Sequence, residues 1–118
     1  MTETTDAEGA HAYIAETIKT HPMVLFMKGT PARTQCGFSA AVIEVLRHYD
    51  VPFHTIDVLA NPAIRQAIKT YSDWPTVPQL YIKGEFVGGC DIVREMYETG
   101  ELAQLLAARQ IRMAAVTP

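Results

Sequence analysis

Apolar residues follow two different rhythms along this chain. In residues 9–20 and 37–49 they recur at the spacing of one helix face, whereas residues 23–27 form a short continuous apolar run. Such a run is typical of a strand that helices cover on both faces of a sheet. The whole pattern predicts, in chain order, a helix at 9–20, a strand at 23–27, a helix at 37–49, a strand at 53–58, a helix from Asn61-Pro62 to 71, strands at 79–83 and 85–88, and a last helical region at 90–112 that is broken near Gly100.

Turn and capping residues separate these predicted elements. His21-Pro22 ends the first helix, because the residue before a proline disfavours the helical conformation. Lys28-Gly29-Thr30-Pro31 ends the first strand and opens a loop at 29–35. Lys83-Gly84 is typical of a hairpin turn between the last two strands. The order α-β-α-β-α-β-β-α predicts an α/β domain with a mixed sheet and helices on both of its faces.

Size, composition and charge narrow the class of protein. The 118 residues suit one domain, which we place at 9–112 between a loosely ordered tail at 1–8 and a frayed end at 113–118. With 48% hydrophobic residues and a net charge of −3, we expect a real core and no nucleic-acid partner. The polar residues 1–10 lack the pattern of a signal or transit peptide, and no apolar run approaches the roughly 20 residues that span a bilayer. We therefore expect a cytoplasmic protein with no membrane partner; for a eukaryotic gene, a processed organellar form is the alternative.

Cys36 is the first candidate for chemistry. It lies where the loop at 29–35 meets the helix at 37–49, so the free N–H groups and the positive dipole end of that helix favour its thiolate. A thiolate is both a nucleophile and a metal ligand. The alternative interpretation is an inert, half-buried cysteine at a helix start. With two cysteines in 118 residues, a disulfide framework is not expected, and a reducing compartment is.

The cysteine belongs to a C-x-x-S motif, Cys36-Gly37-Phe38-Ser39. A C-x-x-C site attacks a disulfide and then resolves the mixed disulfide within the same loop. Ser39 cannot perform the second step, and we interpret it as a hydrogen-bonding residue of the first helical turn. Cys36 therefore either depends on an outside thiol such as glutathione for resolution, or acts as a metal ligand.

Several sequence blocks resemble those of a known family. They are Phe26-Met27-Lys28-Gly29-Thr30-Pro31, Cys36-Gly37-Phe38-Ser39, Arg65 with Lys69, Trp74-Pro75-Thr76-Val77-Pro78-Gln79-Leu80-Tyr81 and Gly88-Gly89-Cys90-Asp91-Ile92. Together they resemble the CGFS-type monothiol glutaredoxins over residues 10–108. The resemblance implies a thioredoxin-like fold with a four-stranded mixed sheet and with glutathione bound beside Cys36. In one departure from the family, Thr34 stands where a proline is frequent, which predicts a more mobile loop.

The resemblance also implies a role for several charged residues. Lys28 would reach a glutathione carboxylate and lower the pKa of the Cys36 thiol. Arg65 and Lys69, four apart on one helix face, would both point at the glycyl carboxylate. Without the resemblance, the pair is interpreted as a solvated helix face.

Two backbone segments complete the implied glutathione site. Val77-Pro78 would be a cis step whose Val77 backbone pairs with the cysteinyl unit of glutathione; the residues alone favour an ordinary trans proline. Gly88-Gly89-Cys90-Asp91 would offer backbone N–H groups, from Gly89 and Cys90, to the γ-glutamyl carboxylate, and the Asp91 carboxylate to its ammonium. A glycine turn with an Asp cap is the alternative. Trp74 either covers the site or packs its loop on the core.

The function implied by the resemblance is that of an iron–sulfur carrier. A [2Fe–2S] cluster usually takes four thiolates, and two copies of Cys36 with two glutathione thiolates supply four in a bridged homodimer. Cys90 is expected to pack inward instead of binding the cluster. Apo iron–sulfur proteins and a BolA-like protein are the implied partners. The alternative is a glutathione-dependent oxidoreductase that reduces protein–glutathione mixed disulfides through Cys36.

Overall fold

The computed structural model describes residues 7–113 of the chain. Its helices are α1 (Ala7–Thr20), α2 (Gly37–Tyr49), α3 (Pro62–Ser72), α4 (Cys90–Thr99) and α5 (Glu101–Ala108). Its strands are β1 (Met23–Met27), β2 (Gly29–Thr30), β3 (Arg33–Thr34), β4 (His54–Asp57), β5 (Gln79–Ile82) and β6 (Glu85–Gly88).

Four of the strands form the mixed sheet that the sequence predicts, in the order β4-β1-β5-β6. β1 pairs in parallel with β4, with Val24 opposite His54. It pairs in antiparallel fashion with β5, with Leu25 opposite Leu80. A hairpin then joins β5 to β6. The parallel pair needs a crossover, which α2 supplies, and the antiparallel pairs follow from the short turns.

β1 contributes to two apolar cores, because alternate residues of a strand point to opposite faces of the sheet. Met23, Leu25 and Met27 belong to a core built with α2, α4 and α5. Val24 and Phe26 belong to a second core built with α1 and α3. All five side chains are at most 1% exposed. Helices therefore cover both faces of the sheet, which is the thioredoxin-like architecture.

The predicted elements agree with the structure apart from details at their ends. α1 begins at Ala7, two residues before the predicted start. The last helical region is broken at Gly100, as predicted, and it ends at Ala108 instead of at residue 112. The segment predicted as a simple loop contains the short β2–β3 ladder. The predictions for residues 1–6 and 114–118 lie outside the described residues. None of the helices within residues 7–113 is long and apolar enough to cross a membrane.

Candidate functional site

One cleft of about 460 Å³ brings together the nine residues that the sequence nominated as a binding site. They come from five separate segments: the end of β1, the start of α2, the body of α3, the loop before β5 and the start of α4. The nine residues are Lys28, Cys36, Arg65, Lys69, Val77, Pro78, Gly89, Cys90 and Asp91.

Cys36 immediately precedes the first turn of α2, with an extended backbone at φ −157° and ψ 132°. Partial burial raises the pKa of its thiol, but hydrogen bonds from the backbone N–H groups of Ser39 and Phe38 oppose this effect. The positive charge of Lys28 and a hydrogen bond from the Ser39 hydroxyl also lower the thiol pKa. The net result is a thiol pKa below the ordinary value. Cys36 is therefore a partly exposed cysteine that favours the thiolate.

Ser39 has the hydrogen-bonding role that the sequence predicts for it. Its side chain is fully buried, and its hydroxyl oxygen accepts the backbone N–H of Lys28 at 3.1 Å. The first turn of α2 is thereby joined to the end of β1.

The loop between Lys28 and Cys36 is a small hairpin. Gly29 pairs with Thr34 in the β2–β3 ladder, and the backbone N–H of Gln35 donates to the Lys28 carbonyl at 2.9 Å. Gly29 has φ +93°, and a Cβ there would lie 2.5 Å from the Arg33 carbonyl oxygen, so glycine is required. The ladder closes the loop although Thr34 replaces the proline that the family often has.

Three cations and one carboxylate line the cleft. Lys28 follows β1, Arg65 and Lys69 project from α3, and Asp91 lies in the first turn of α4. The salt bridge found within residues 7–113 joins Arg109 to Glu85. Glu85 begins β6, next to the turn of the β5–β6 hairpin, and neither residue lines the cleft. In the described part of the chain, the four charges of the cleft thus have no ion-pair partner and are available to a charged ligand.

The Val77–Pro78 peptide bond is cis, as the resemblance implied and as the residues alone did not. The loop before it is held by Gln79, which is fully buried. The Gln79 side-chain N–H groups donate to the carbonyls of Trp74 at 3.2 Å and Thr76 at 3.0 Å. Sequence reasoning treated Gln79 as a strand residue and missed this role, since nothing in its neighbours shows that it turns back to the loop.

Trp74 combines the two interpretations that the sequence left open. It lines the cleft, and its ring packs on Phe86 with a centroid distance of 5.6 Å.

The cleft has further lining residues outside the sequence-predicted set, namely Phe38, Pro75, Thr76 and Ile92. All of them lie within the sequence blocks that contain predicted site residues, and this proximity in the chain is the signal by which they could have been predicted. Phe38 is 62% exposed, so the rim beside Cys36 is apolar.

Cys90 differs from Cys36 in its surroundings. Only 8% of Cys90 is exposed, and it belongs to the core formed with α2 and α5. Burial raises the pKa of its thiol, and the Asp91 carboxylate raises it further. The inward packing predicted for Cys90 is therefore confirmed.

No group of three or more His, Cys, Asp or Glu side chains suited to a metal ion occurs in the part of the chain that the structure describes.

The fold and the cleft define a thioredoxin-fold protein with one accessible, thiolate-favouring cysteine at a helix start. The glutaredoxin family model matches residues 23–87. The chain is 57% identical over 95 residues to monothiol glutaredoxin-S7 of rice, a chloroplastic protein; that match covers 80% of this chain and 56% of the rice protein's length. It is 52% identical over 106 residues to probable monothiol glutaredoxin 2 of Rickettsia felis, covering 90% and 98% of the two chains.

Solved structures agree with these sequence relatives. A monomeric truncated mutant of 1-C-Grx1 from Trypanosoma brucei superimposes with a TM-score of 0.83 at 42% identity, covering 90% of this chain and 96% of that one. A buckwheat glutaredoxin–glutathione complex superimposes with a TM-score of 0.80 at 26% identity, covering 95% and 99%. The chain belongs to the glutaredoxin family, among its monothiol members.

Proposed function

We propose that this chain binds glutathione in the cleft and, as a bridged homodimer, carries a [2Fe–2S] cluster that it transfers to apoproteins. The observation that carries the proposal is the contrast between the two thiols of each chain. Cys36 is accessible and its pKa is lowered, whereas Cys90 is buried and its pKa is raised. One chain thus offers one good thiolate ligand beside a cleft suited to a small charged peptide.

The charges of the cleft complement those of glutathione. Glutathione has two carboxylates and one ammonium group, and the cleft offers cations from β1 and α3 and the carboxylate of Asp91. In this proposal, Arg65 and Lys69 bind the glycyl carboxylate, and Asp91 binds the ammonium. Gly89 and Cys90 present backbone N–H groups at the start of α4, where an anion is favoured. A related buckwheat glutaredoxin has been solved as a glutathione complex.

In this proposal the cluster is the cargo, and the available thiolates of the protein and of glutathione are its ligands. Four thiolates are usual for a [2Fe–2S] cluster. Two copies of Cys36 and two glutathiones provide them, while Cys90 remains in the core. The exposed Phe38, next to Cys36 in the motif, gives the rim an apolar surface that a second copy would cover. Because half of the ligands are exchangeable small molecules, the cluster can be passed on.

Anaerobic reconstitution tests the proposal. Iron, sulfide and glutathione are quantified and the mass in solution is measured for the wild type, Cys36→Ser and Cys90→Ser, each with and without glutathione. We expect a coloured dimer with two glutathiones per cluster in the wild type and in Cys90→Ser, and none in Cys36→Ser. A stable cluster without glutathione that is lost in Cys90→Ser would assign the ligand role to Cys90 and overturn the proposal.

The lowered pKa of Cys36 also favours a second candidate function, the reduction of protein–glutathione mixed disulfides. The Cys36 thiolate would attack the glutathione sulfur, forming a Cys36–glutathione disulfide and releasing the protein thiolate, which takes up a proton. A second glutathione thiolate would then attack that disulfide, regenerating Cys36 and releasing oxidised glutathione. A colourless protein with rapid turnover of a glutathionylated substrate would favour this function over cluster transfer.

We further propose that the chain acts in the cytoplasm, with apo iron–sulfur proteins and a BolA-like protein as partners. Both cysteines are free, which suits a reducing compartment. Co-purification of a tagged chain from anaerobically grown cells, with Cys36→Ser as the control, tests whether these partners depend on the cluster ligand.

A further inference from the structure

Asp57 joins two segments that lead to residues of the cleft, although it does not line the cleft itself. Its carboxylate oxygen Oδ1 accepts the backbone N–H of Gly29 at 2.9 Å and the backbone N–H of Leu59 at 2.9 Å. Gly29 opens the loop that leads to Cys36. Leu59 opens the connection from β4 to α3, the helix that carries the two cations. A single oxygen atom therefore fixes both segments.

The loop held by Asp57 is closely packed, so its position is transmitted to the reactive cysteine. A Cβ at Gly29 would lie 2.5 Å from the Arg33 carbonyl oxygen and 2.8 Å from the Gln35 nitrogen, so the backbone of residues 33–35 lies directly against this glycine. The neighbouring Lys28 is bound on both sides of its backbone. Its N–H donates to Ser39, and its carbonyl accepts from Gln35. Movement of Gly29 would therefore move Lys28, which lines the cleft together with Cys36.

We propose that Asp57 is a positioning residue for the Cys36 thiolate, acting as a hydrogen-bond acceptor through Gly29 and Lys28. Its negative charge does not explain such a role, since a carboxylate near a thiol opposes ionisation of that thiol. The acceptor geometry does, because one oxygen atom receives the N–H groups of two separate segments. The inference concerns the thiol alone and stands whether or not the cleft binds glutathione.

The test is the pH dependence of Cys36 alkylation by iodoacetamide, read at the Cys36 peptide by mass spectrometry. For Asp57→Ala we expect the midpoint of the rate profile to rise by about half a pH unit and the neutral-pH rate to fall about threefold. Asp57→Asn keeps an oxygen acceptor in the same place and removes the charge, so it is expected to react like the wild type. Ile14→Val, in the core between α1 and α3, controls for a general loss of stability and is expected to leave the profile unchanged.

Each other outcome overturns the proposal. A wild-type profile for Asp57→Ala would show that the contact does not position the cysteine. An equal upward shift in Asp57→Asn would show that an oxygen acceptor at this position is not sufficient, and an equal shift in Ile14→Val would assign the effect to stability. Should Asp57→Ala fail to give a folded circular dichroism spectrum, amide hydrogen exchange in the wild type and Asp57→Asn decides. Joint protection of the Gly29 and Leu59 amides in both proteins supports the proposal, and free exchange of Gly29 refutes it.

Discussion

The Ser39 hydroxyl oxygen accepts the backbone N–H of Lys28 at 3.1 Å, so the first turn of α2 is bonded to the end of β1. Ser39 is fully buried, and the same hydroxyl helps to lower the pKa of the Cys36 thiol. The last residue of the C-x-x-S motif thus supports the cysteine and the lysine together. A second thiol at this position would support disulfide chemistry; the serine supports a single persistent thiolate.

Ser39→Ala is expected to lower both stability and thiol reactivity. It leaves the Lys28 N–H without its acceptor, which costs about 1–3 kcal/mol when the group is buried. It also removes one of the hydrogen bonds that favour the thiolate, so the pKa of Cys36 should rise. Urea unfolding and thiol titration measure the two effects. Thr20→Ala, on the exposed end of α1, is the control, and an equal loss of stability there would contradict the assignment.

Lys28→Gln is expected to raise the pKa of the Cys36 thiol, because the Lys28 charge is one of the influences that lower it. The rate of alkylation below that pKa should fall by about two- to fivefold, the effect of a partly exposed charge pair worth about 1 kcal/mol or less. The difference should shrink at high salt, which screens exposed charges. The same substitution at Lys83, in the β5–β6 turn, should leave the rate unchanged. A salt-independent effect would argue that Lys28→Gln acts by moving the loop.

Glutathione affinity is expected to depend on Arg65 and Asp91 if the cleft binds this tripeptide as proposed. Replacing either by Ala removes a charge-assisted hydrogen bond worth roughly 1.5–3 kcal/mol, and raising the glutathione concentration should restore occupancy by mass action. Calorimetric titration measures the affinity directly. Lys19→Ala, on α1 and outside the cleft, provides the matched loss of a cation. Unchanged affinity in both cleft variants would refute these contacts.

The stability of the fold is expected to decrease in mild acid because of His54. Its ring stacks on that of His21, with a centroid distance of 4.0 Å and parallel planes. Burial lowers the pKa of His54 below 6.5, and His21 lowers it further. The unfolded chain therefore binds the proton more readily than the folded chain. The contribution of neutral His54 to the stability of the fold is complete above about pH 6.5 and is lost as the pH falls through the lower folded pKa. His54→Gln should flatten the pH dependence of the free energy of unfolding between pH 7 and pH 5; an unchanged slope would count against it.

The sequence alone predicted most of the architecture, because it depends on local patterns. The apolar run of β1 indicated a strand buried on both faces, and the break at Gly100 was confirmed at the start of α5. The β2–β3 ladder was missed, since pairs of two residues leave no periodic signal. Family-like blocks nominated nine site residues, and these line one cleft.

Only the tertiary structure shows what gives the nominated groups their different chemistry and which residues support them. Cys36 and Cys90 both lie at helix starts, and the family-like blocks predicted that only Cys36 is reactive. The partial exposure and lowered pKa of Cys36, and the burial and raised pKa of Cys90, come from the packed structure. Asp57 and Gln79 likewise bond to loops that neither residue's neighbours in the chain reveal. The physical reason is common to both cases. Spacing along a chain determines helices and strands, whereas burial, desolvation and hydrogen bonds between distant segments exist only after the sheet and its helices have packed.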